Sequence, residues 1–293
     1  MTNDAKWPGG ARSAVILTVD FNDDLGIRTQ APDIEGREKS LSVWRYGAKR
    51  GVDRLLAAFD DFDVPSSWFV PGQVARAHRD LVTRIDAAGH EIGVSGDACE
   101  DFDALDLAQQ KRAFDSGHAT LTAALGRPPT GFRPFTGNWA PGFAAHLHAR
   151  GIAWTSTWHG DDLPYYHHEA PLIELPLHVE LEDEPYFAFN LAPPVPAGQS
   201  RIASYREVLG NWTRDFEAFH RFGLCFVMRL HPEIIGTAGR IGVLRELLAT
   251  MRAHGDVWFA TGAQAASWWR ERCHANEPGH PVEIFERHRN TIV

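Results

Sequence analysis

Short apolar runs rich in β-branched residues alternate with amphipathic segments along this chain, and that alternation restricts the fold more than any other feature. "AVILTVD" (14 to 20) reads as a buried strand. After it, Val52, Leu55, Leu56 and Phe59 fall at i, i+3, i+4 and i+7, the stripe of a helix with one buried face. The pattern then repeats. "SSWFVPG" reads as strand and turn, "QVARAHRDLVTRIDAAG" as one helix with a terminal glycine, "HEIGV" as a strand, and Leu107 to Leu125 as a helix. "GFRPF", "IAWTST", "LIELPL", "LCFVMRL" (224 to 230) and "DVWFAT" (256 to 261) supply further strands, with helices expected near 202 to 221, 240 to 254 and 262 to 273. Strands separated by helices of this length favour right-handed βαβ units in a mainly parallel sheet or barrel. The Pro- and Gly-rich "LAPPVPAGQS" (191 to 200) reads as a long loop, and nothing cuts the chain in two. One α/β domain over 1–293 is expected, with its core at about 12–273.

The formal net charge of -9 argues against nucleic-acid or anionic-membrane partners, which need a basic face. Three cysteines, Cys99, Cys225 and Cys273, are too sparse for a disulfide framework. The opening "MTNDAKWPGGARSAVILTVDFND" lacks the basic and apolar segments of a signal peptide, so a reduced, cytoplasmic location is expected.

In such folds chemistry gathers where strands end at their C-termini. Asp20, Asn22, Asp23 and Asp24 follow the first strand, and Ser95, Asp97 and Cys99 the third. Arg133 lies in "GFRPFTGNW", Asp161 and Asp162 in "GDDLPYYHH", and His231 in "RLHPE". Singly, each has a bland alternative: a solvated turn for the Asp cluster, a surface salt bridge for Arg133, a satisfied core histidine for His231. Together they point to a converging site.

These segments resemble the polysaccharide deacetylase, or NodB-homology, superfamily over nearly the whole chain. "LTVDFND" is similar to its first motif, "SSWFVPG" to its "TFFVPG" strand, "GHEIGVSGDACEDF" to "GHEIGNHGYSHEDF", "GFRPFTGNWAP" to "GFRAPGGSWSP", and "RLHP" to its closing histidine motif. The resemblance implies a distorted, TIM-like (β/α) barrel, typically of seven strands, that hydrolyses amide carbon–nitrogen bonds. "WPGGARSAV", "YGAKRGVDRLLAAF", "GDDLPYY", "LIELPLH", "HPEIIGTAGRIGVLRELL" and "DVWFATGAQAASWW" narrow it to a cytoplasmic branch with metal-independent allantoinases, cyclic imide hydrolases and peptidoglycan-deacetylase-like proteins. Relatives there imply a homo-oligomer.

In metal-dependent members an aspartate and the two histidines of "HxxxH" hold the metal, and a second aspartate is the general base. Carried over, Asp20 matches the base, Asn22 falls at the ligand aspartate, and Ser95 and Cys99 fall at the two histidines. Asn and Ser are weak neutral donors, and Cys binds zinc well only as a thiolate. The expectation is therefore hydrolysis without a metal or other cofactor. Asp20 would be the base, His231 the acid, and Arg133 would orient Asp20 or bind a substrate carbonyl, with backbone N–H groups around "FTGNW" as an oxyanion site. Two alternatives stay open: an N-deacetylase with a divalent metal such as zinc at a non-standard site built from Asp23, Asp24, Asp97 or His90, and an inactive ligand-binding barrel. Cys99 is read either as a thiolate nucleophile or as a small buried hydrophobe. The expected substrate is a small cyclic imide, ureide or related amide, walled by Trp44, Tyr46, Trp139 and Tyr165, with Ser95, Cys99 and Asp162 also contacting it.

Overall fold

The computed structural model describes residues 7–191, 194–195 and 202–283. Its central sheet contains β1 (Ser13–Asp20), β2 (Ser66–Val70), β3 (Glu91–Val94), β4 (Gly131–Phe132), β5 (Trp154–Thr155), β6 (Tyr165–Tyr166) and β7 (Ile173–Glu174). A two-stranded hairpin, β8 (Asn190–Leu191) with β9 (Pro194–Val195), stands apart, and β10 (Cys225–Leu230) and β11 (Val257–Ala260) complete the main sheet.

The order is β10-β1-β2-β3-β4-β5-β7-β6, with β11 also on β1. β1 pairs with β10 over Ala14 to Val19, while its other edge is shared, β11 taking Ser13 to Ile16 and β2 taking Leu17 to Asp20. All pairings in this sheet are parallel except β6 with β7. The sheet thus has nine strands where seven were expected. The excess includes β6, a two-residue antiparallel edge piece without the apolar length that marks a strand in sequence. On the far side of β10 a single bridge, Glu182 with Arg229, brings the segment after β7 back towards the start of the sheet.

Strand alternation sorts the apolar residues into two cores. Ala14 and Ile16 of β1, Phe69 of β2, Trp154, Ile173, and Cys225 and Val227 of β10 form one cluster, inside the curve of the sheet. Val15, Leu17, Val19, Trp68, Val70, Phe226, Met228 and Leu230, one residue out of step, pack in the other with the helix residues Leu55, Phe59, Phe114, Leu244 and Leu248. Continuing the inner column of β1 gives Thr18 and then Asp20; continuing that of β10 gives Arg229 and then His231. The interior therefore changes from apolar to charged at the C-terminal ends.

The helix Leu107–Leu125 has its expected bounds, set by a capping box between Asp106 and Gln109 and by Gly126 at φ 72°. The single helix expected over 73–89 is instead two, Gly72–Ala77 and Arg79–Ala87, broken at His78, whose Nε2 is 2.8 Å from Asp23 Oδ2. Two short helices, Asp23–Gln30 and Glu38–Trp44, and a π-helical turn, Gly47–Gly51, lie before Val52. Residues 192–193 and 196–200 of the expected loop lie outside the described residues. Among the described residues no helix is long and apolar enough to cross a membrane.

Candidate active site

Asp20 ends β1 buried, with each carboxylate oxygen on a different arginine. Oδ1 accepts from Arg133 Nη1 at 2.7 Å and Oδ2 from Arg229 Nε at 2.7 Å. Burial alone would raise its pKa, but Arg229, Arg133 and His231 together hold it well below the usual carboxylate range. Asp20 is thus held as an anion with both oxygens engaged by arginines.

Arg133 is buried, which excludes the surface salt bridge. Its Nε donates to the Ser156 carbonyl at 2.6 Å, its Nη2 to Ser156 Oγ at 2.8 Å and its Nη1 to Thr18 Oγ1 at 3.0 Å as well as to Asp20, and its guanidinium lies over the Phe69 ring. Those contacts make it a brace for Asp20 and leave it no face to offer a substrate carbonyl. Arg229 also donates from Nη1 to Glu182 Oε2 at 3.3 Å. It is the first residue of "RLHP" and stands two residues before His231, so alternation assigns both to one face.

His231 is held from three directions. Its Nδ1 is 2.6 Å from Asp183 Oδ1, its backbone N–H donates to Asp183 Oδ2 at 2.8 Å, and its Nε2 is 3.9 Å from Glu184 Oε2. Burial would lower its pKa, but Asp183 and Glu184 outweigh that and push it up to about 10. The contact with Asp183 therefore favours the imidazolium form. Asp183 and Glu184 sit in "LEDEPYF", between a 3-10 turn and a one-turn helix, where no strand end marked them in sequence.

Two of the three exchanged ligand positions, Asn22 and Cys99, come together. Asn22 and Cys99 are both buried, and the Cys99 thiol donates to Asn22 Oδ1 at 3.7 Å; Ser95, also buried, follows β3. Burial, with Glu100, Glu233, Asp20 and Asp23 around it, pushes the Cys99 thiol well up. That disfavours its thiolate, and the residue sits at a positive φ of 57°. An amide, a hydroxyl and a cysteine are not the carboxylate and two imidazoles of an Asp–His–His metal site.

Nor do the residues considered for a different metal site converge. Asp23 faces His78, Asp24 is paired with Arg28 and Arg45, Asp97 with Arg76 and Ser116, and His90 lies with Ser66 before β3. Among the described residues, the groups of three or more His, Cys, Asp or Glu near enough to share an ion are His159–Asp162–His178 and His220–His254–Asp256. Both are at the other end: the Asp162 carbonyl accepts from Cys225 N, the first residue of β10, and His220 Nδ1 contacts Ser13 Oγ, at the first residue of β1.

Asp162 and Tyr165 are therefore not in this site. Tyr165 donates to the His159 carbonyl and, with Asp161, lines a separate pocket beside Trp269 and His280. Trp139 packs among Phe132, Phe143, Trp158 and His167. The Asn138 N–H, expected to be an oxyanion donor, is taken by Asp103 Oδ1 at 2.9 Å. A cavity of about 760 Å³ is lined by Val64, Pro65, Gly89 and His90, which precede β2 and β3, and so opens away from the charged end.

One small space adjoins His231, and a second shares part of its lining. A cavity of about 10 Å³ is lined by Asn22, Gln30, Trp44, Phe135, Glu184, His231 and Glu233, the least volume that holds a water. Across Trp44, Glu233 and Ile234 lies a cleft of about 400 Å³ that adds Tyr46, Phe187 and Arg240. Trp44 and Tyr46 thus stand where a pocket wall was expected.

A mainly parallel α/β sheet with buried ion-paired groups gathered at its C-terminal ends is the arrangement of a barrel-type enzyme centre. The polysaccharide deacetylase family profile matches residues 41–153. A Mycobacterium smegmatis crystal structure classed with the polysaccharide deacetylases is 30% identical, with a TM-score of 0.85, over 91% of this chain and 93% of that one. PuuE allantoinase superposes with a TM-score of 0.79 at 22% identity, over 93% and 95% of the two chains. The peptidoglycan deacetylase of Helicobacter pylori is 22% identical over 266 residues, 81% of this chain and 90% of that protein. The chain belongs to the polysaccharide deacetylase (NodB-homology) family, hydrolases of carbon–nitrogen bonds other than peptide bonds.

Proposed function

We propose that this protein hydrolyses a small cyclic imide, ureide or related amide without a catalytic metal. The observation that carries the reading is His231, a cationic imidazole fixed by Asp183 beside a space for one water, at a centre where Asn22 and a protonated Cys99 occupy the ligand positions. Amide hydrolysis needs an activated water, a polarised carbonyl and a protonated leaving nitrogen. His231 gives its proton to the nitrogen as the tetrahedral intermediate collapses. Glu184 shares the small cavity, and although burial would raise its pKa, His231 and Arg229 keep it ionised, so it takes the water proton in the role first expected of Asp20. Positive charge from His231 and Arg229 supports the developing oxyanion.

The electrophile follows from the same chemistry. A sugar acetamide is unactivated and gains strongly from a Lewis acid, whereas a cyclic imide or ureide has a better leaving nitrogen and relieves ring constraint on opening. A cleft of about 400 Å³ suits a ring-sized ligand. Buried thiols at Cys99 and Cys225 agree with a reducing, cytoplasmic setting.

The test is a panel of cyclic imides, allantoin and acetylated sugars assayed with and without chelator. Ring opening that survives chelation is the expected result. Deacetylation that chelator abolishes would replace this reading with a metal enzyme, and binding without turnover would replace it with an inactive barrel.

A further inference from the structure

At the end of the sheet away from His231, the side chains of His159, Asp162 and His178 offer ligand atoms that all lie within 4.8 Å of one another. His178 Nε2 is 2.9 Å from Asp162 Oδ1, and the His159 and His178 rings are 4.1 Å apart between centroids. His178 is buried, whereas His159 and Asp162 are exposed and have room to turn. His178 Nδ1 has no hydrogen-bond partner, so Asp162 alone bears on which ring nitrogen carries the proton. Two imidazoles and a carboxylate are the donors that a zinc-class ion takes. Ligands about 2.0–2.1 Å from a tetrahedral ion stand about 3.3 Å apart. Small rotations of the two exposed side chains close the set.

The backbone holds the three residues in register. Gly160, at φ 86°, turns the chain between His159 and Asp162, and Asp161 Oδ1 accepts from the N–H groups of Asp162 and Leu163 at 2.6 and 3.0 Å. The Tyr165 hydroxyl donates to the His159 carbonyl at 3.0 Å, the Leu177 N–H to the Trp158 carbonyl at 2.9 Å, and the Cys225 N–H to the Asp162 carbonyl at 3.1 Å. The segments after β5 and β7 thus meet beside the start of β10. Asp215 feels the charges of His178 and Glu180, which makes the surroundings anionic. The other group, His220–His254–Asp256, is less suited to an ion. Both ring nitrogens of His220 are engaged, Nδ1 with Ser13 Oγ at 2.9 Å and Nε2 with Asp256 Oδ1 at 3.2 Å, and Arg12 adds a positive charge beside it.

We propose that His159, Asp162 and His178 bind a divalent transition ion of the zinc class, with solvent completing its coordination, as a staple between the segments after β5 and β7. The site stands apart from Asp20 and His231 and does not depend on the hydrolytic reading. Its ion adds stability rather than chemistry, because an ion that binds the folded chain and not the unfolded one shifts the equilibrium towards the fold. A protein that carries zinc is then compatible with hydrolysis that needs no metal. Chelation lowers its thermal midpoint and leaves turnover of the folded enzyme in place.

The test strips the full-length protein with chelator and titrates it with Zn²⁺ by calorimetry, with Co²⁺ as a spectroscopic probe. Wild type should bind one Zn²⁺ per chain, and its thermal midpoint should climb as free Zn²⁺ rises. His159→Ala and Asp162→Asn should each weaken binding at least ~10-fold, the loss that follows from removing even a hydrogen-bond partner of a ligand. Both residues are exposed, so both variants should fold and keep the wild-type midpoint in chelator. His254→Ala and Cys99→Ser should bind as wild type does. Bound Co²⁺ should show the visible bands of a site with nitrogen and oxygen ligands and no thiolate charge transfer. Absence of saturable Zn²⁺ binding by wild type overturns the site. So does binding that survives both His159→Ala and Asp162→Asn, binding that His254→Ala removes instead, or a thiolate band that Cys99→Ser abolishes. Imide hydrolysis is read separately, and its absence would end the hydrolytic reading while the Zn²⁺ titration still decides the metal site.

Discussion

Asp20 sits between two guanidinium groups, and replacing it strands both of them. Arg133 is buried as deeply as Asp20 and Arg229 nearly so. Breaking a buried ion pair from one side costs about 3–5 kcal/mol, because the remaining charge is left uncompensated. Asp20→Asn should therefore lower the denaturant midpoint sharply along with any activity. A stable Asp20→Asn with selectively lost turnover would restore Asp20 as the base. His231 behaves differently, since its proton is the reactive one. Its pKa rises from 6.5 to about 10 on folding, so its stabilising contribution is complete below about pH 6.5 and disappears as pH rises through about 10. The high-pH limb of kcat/KM should fall in the same upper range. Asp183→Asn should move that limb to lower pH, and His231→Gln should cost roughly 10²–10⁴-fold in kcat and remove it. A limb that stays put in Asp183→Asn would detach the acid from His231. At this scale the sequence marked Asp20, Asn22, Cys99, Arg133 and His231. Arg229 and Glu233 lay within "RLHPE" without being assigned a role, and Asp183 and Glu184 come within reach only through tertiary packing.

The elements that hold these residues were legible where one face is buried over several residues. β1, β2, β10 and the helix Leu107–Leu125 announce themselves by pattern; β4, β5 and β7 fall inside the expected strands "GFRPF", "IAWTST" and "LIELPL" but span two residues each, and β6 was not expected. The break at His78 was not legible, because it depends on Asp23, a residue 55 positions away. The loop carrying Ser95 and Cys99 is likewise fixed from outside. A side chain at Gly117, in the middle of the helix Leu107–Leu125, would lie 1.9 Å from the Gly96 carbonyl. Helix and loop are thus in backbone contact there, and an added methyl has no flexible neighbour to displace. Ala normally stabilises a helix interior over Gly by about 1 kcal/mol. Here Gly117→Ala should instead destabilise by about 1–3 kcal/mol through overpacking and shift the Cys99 resonance or its alkylation rate. A gain in stability would show that the loop yields.

On the scale of the whole molecule, the two ends of the sheet do different work. Trp7 lies at the end away from His231, buried, with its Nε1 donating to the Gly223 carbonyl at 3.2 Å and its ring against Trp258 and Trp269, at 6.0 and 5.9 Å between centroids. It closes the apolar interior that begins with Ala14, Ile16, Cys225 and Val227. "WPGGARSAV" was read for its resemblance alone, and its packing against a segment some 250 residues later was beyond any periodicity. Truncating a buried Trp costs about 3–5 kcal/mol in transfer and cavity terms. Trp7→Ala should lower the thermal midpoint by that equivalent and leave kcat per folded molecule unchanged, because the inner columns of β1 and β10 separate it from Asp20 and His231. His231→Gln should do the reverse, removing turnover while perturbing the midpoint less. Measured together, the two variants give a crossed pattern if stability and chemistry occupy opposite ends of the barrel. A loss of kcat in folded Trp7→Ala would mean instead that the packing of the apolar end sets the geometry of the charged one.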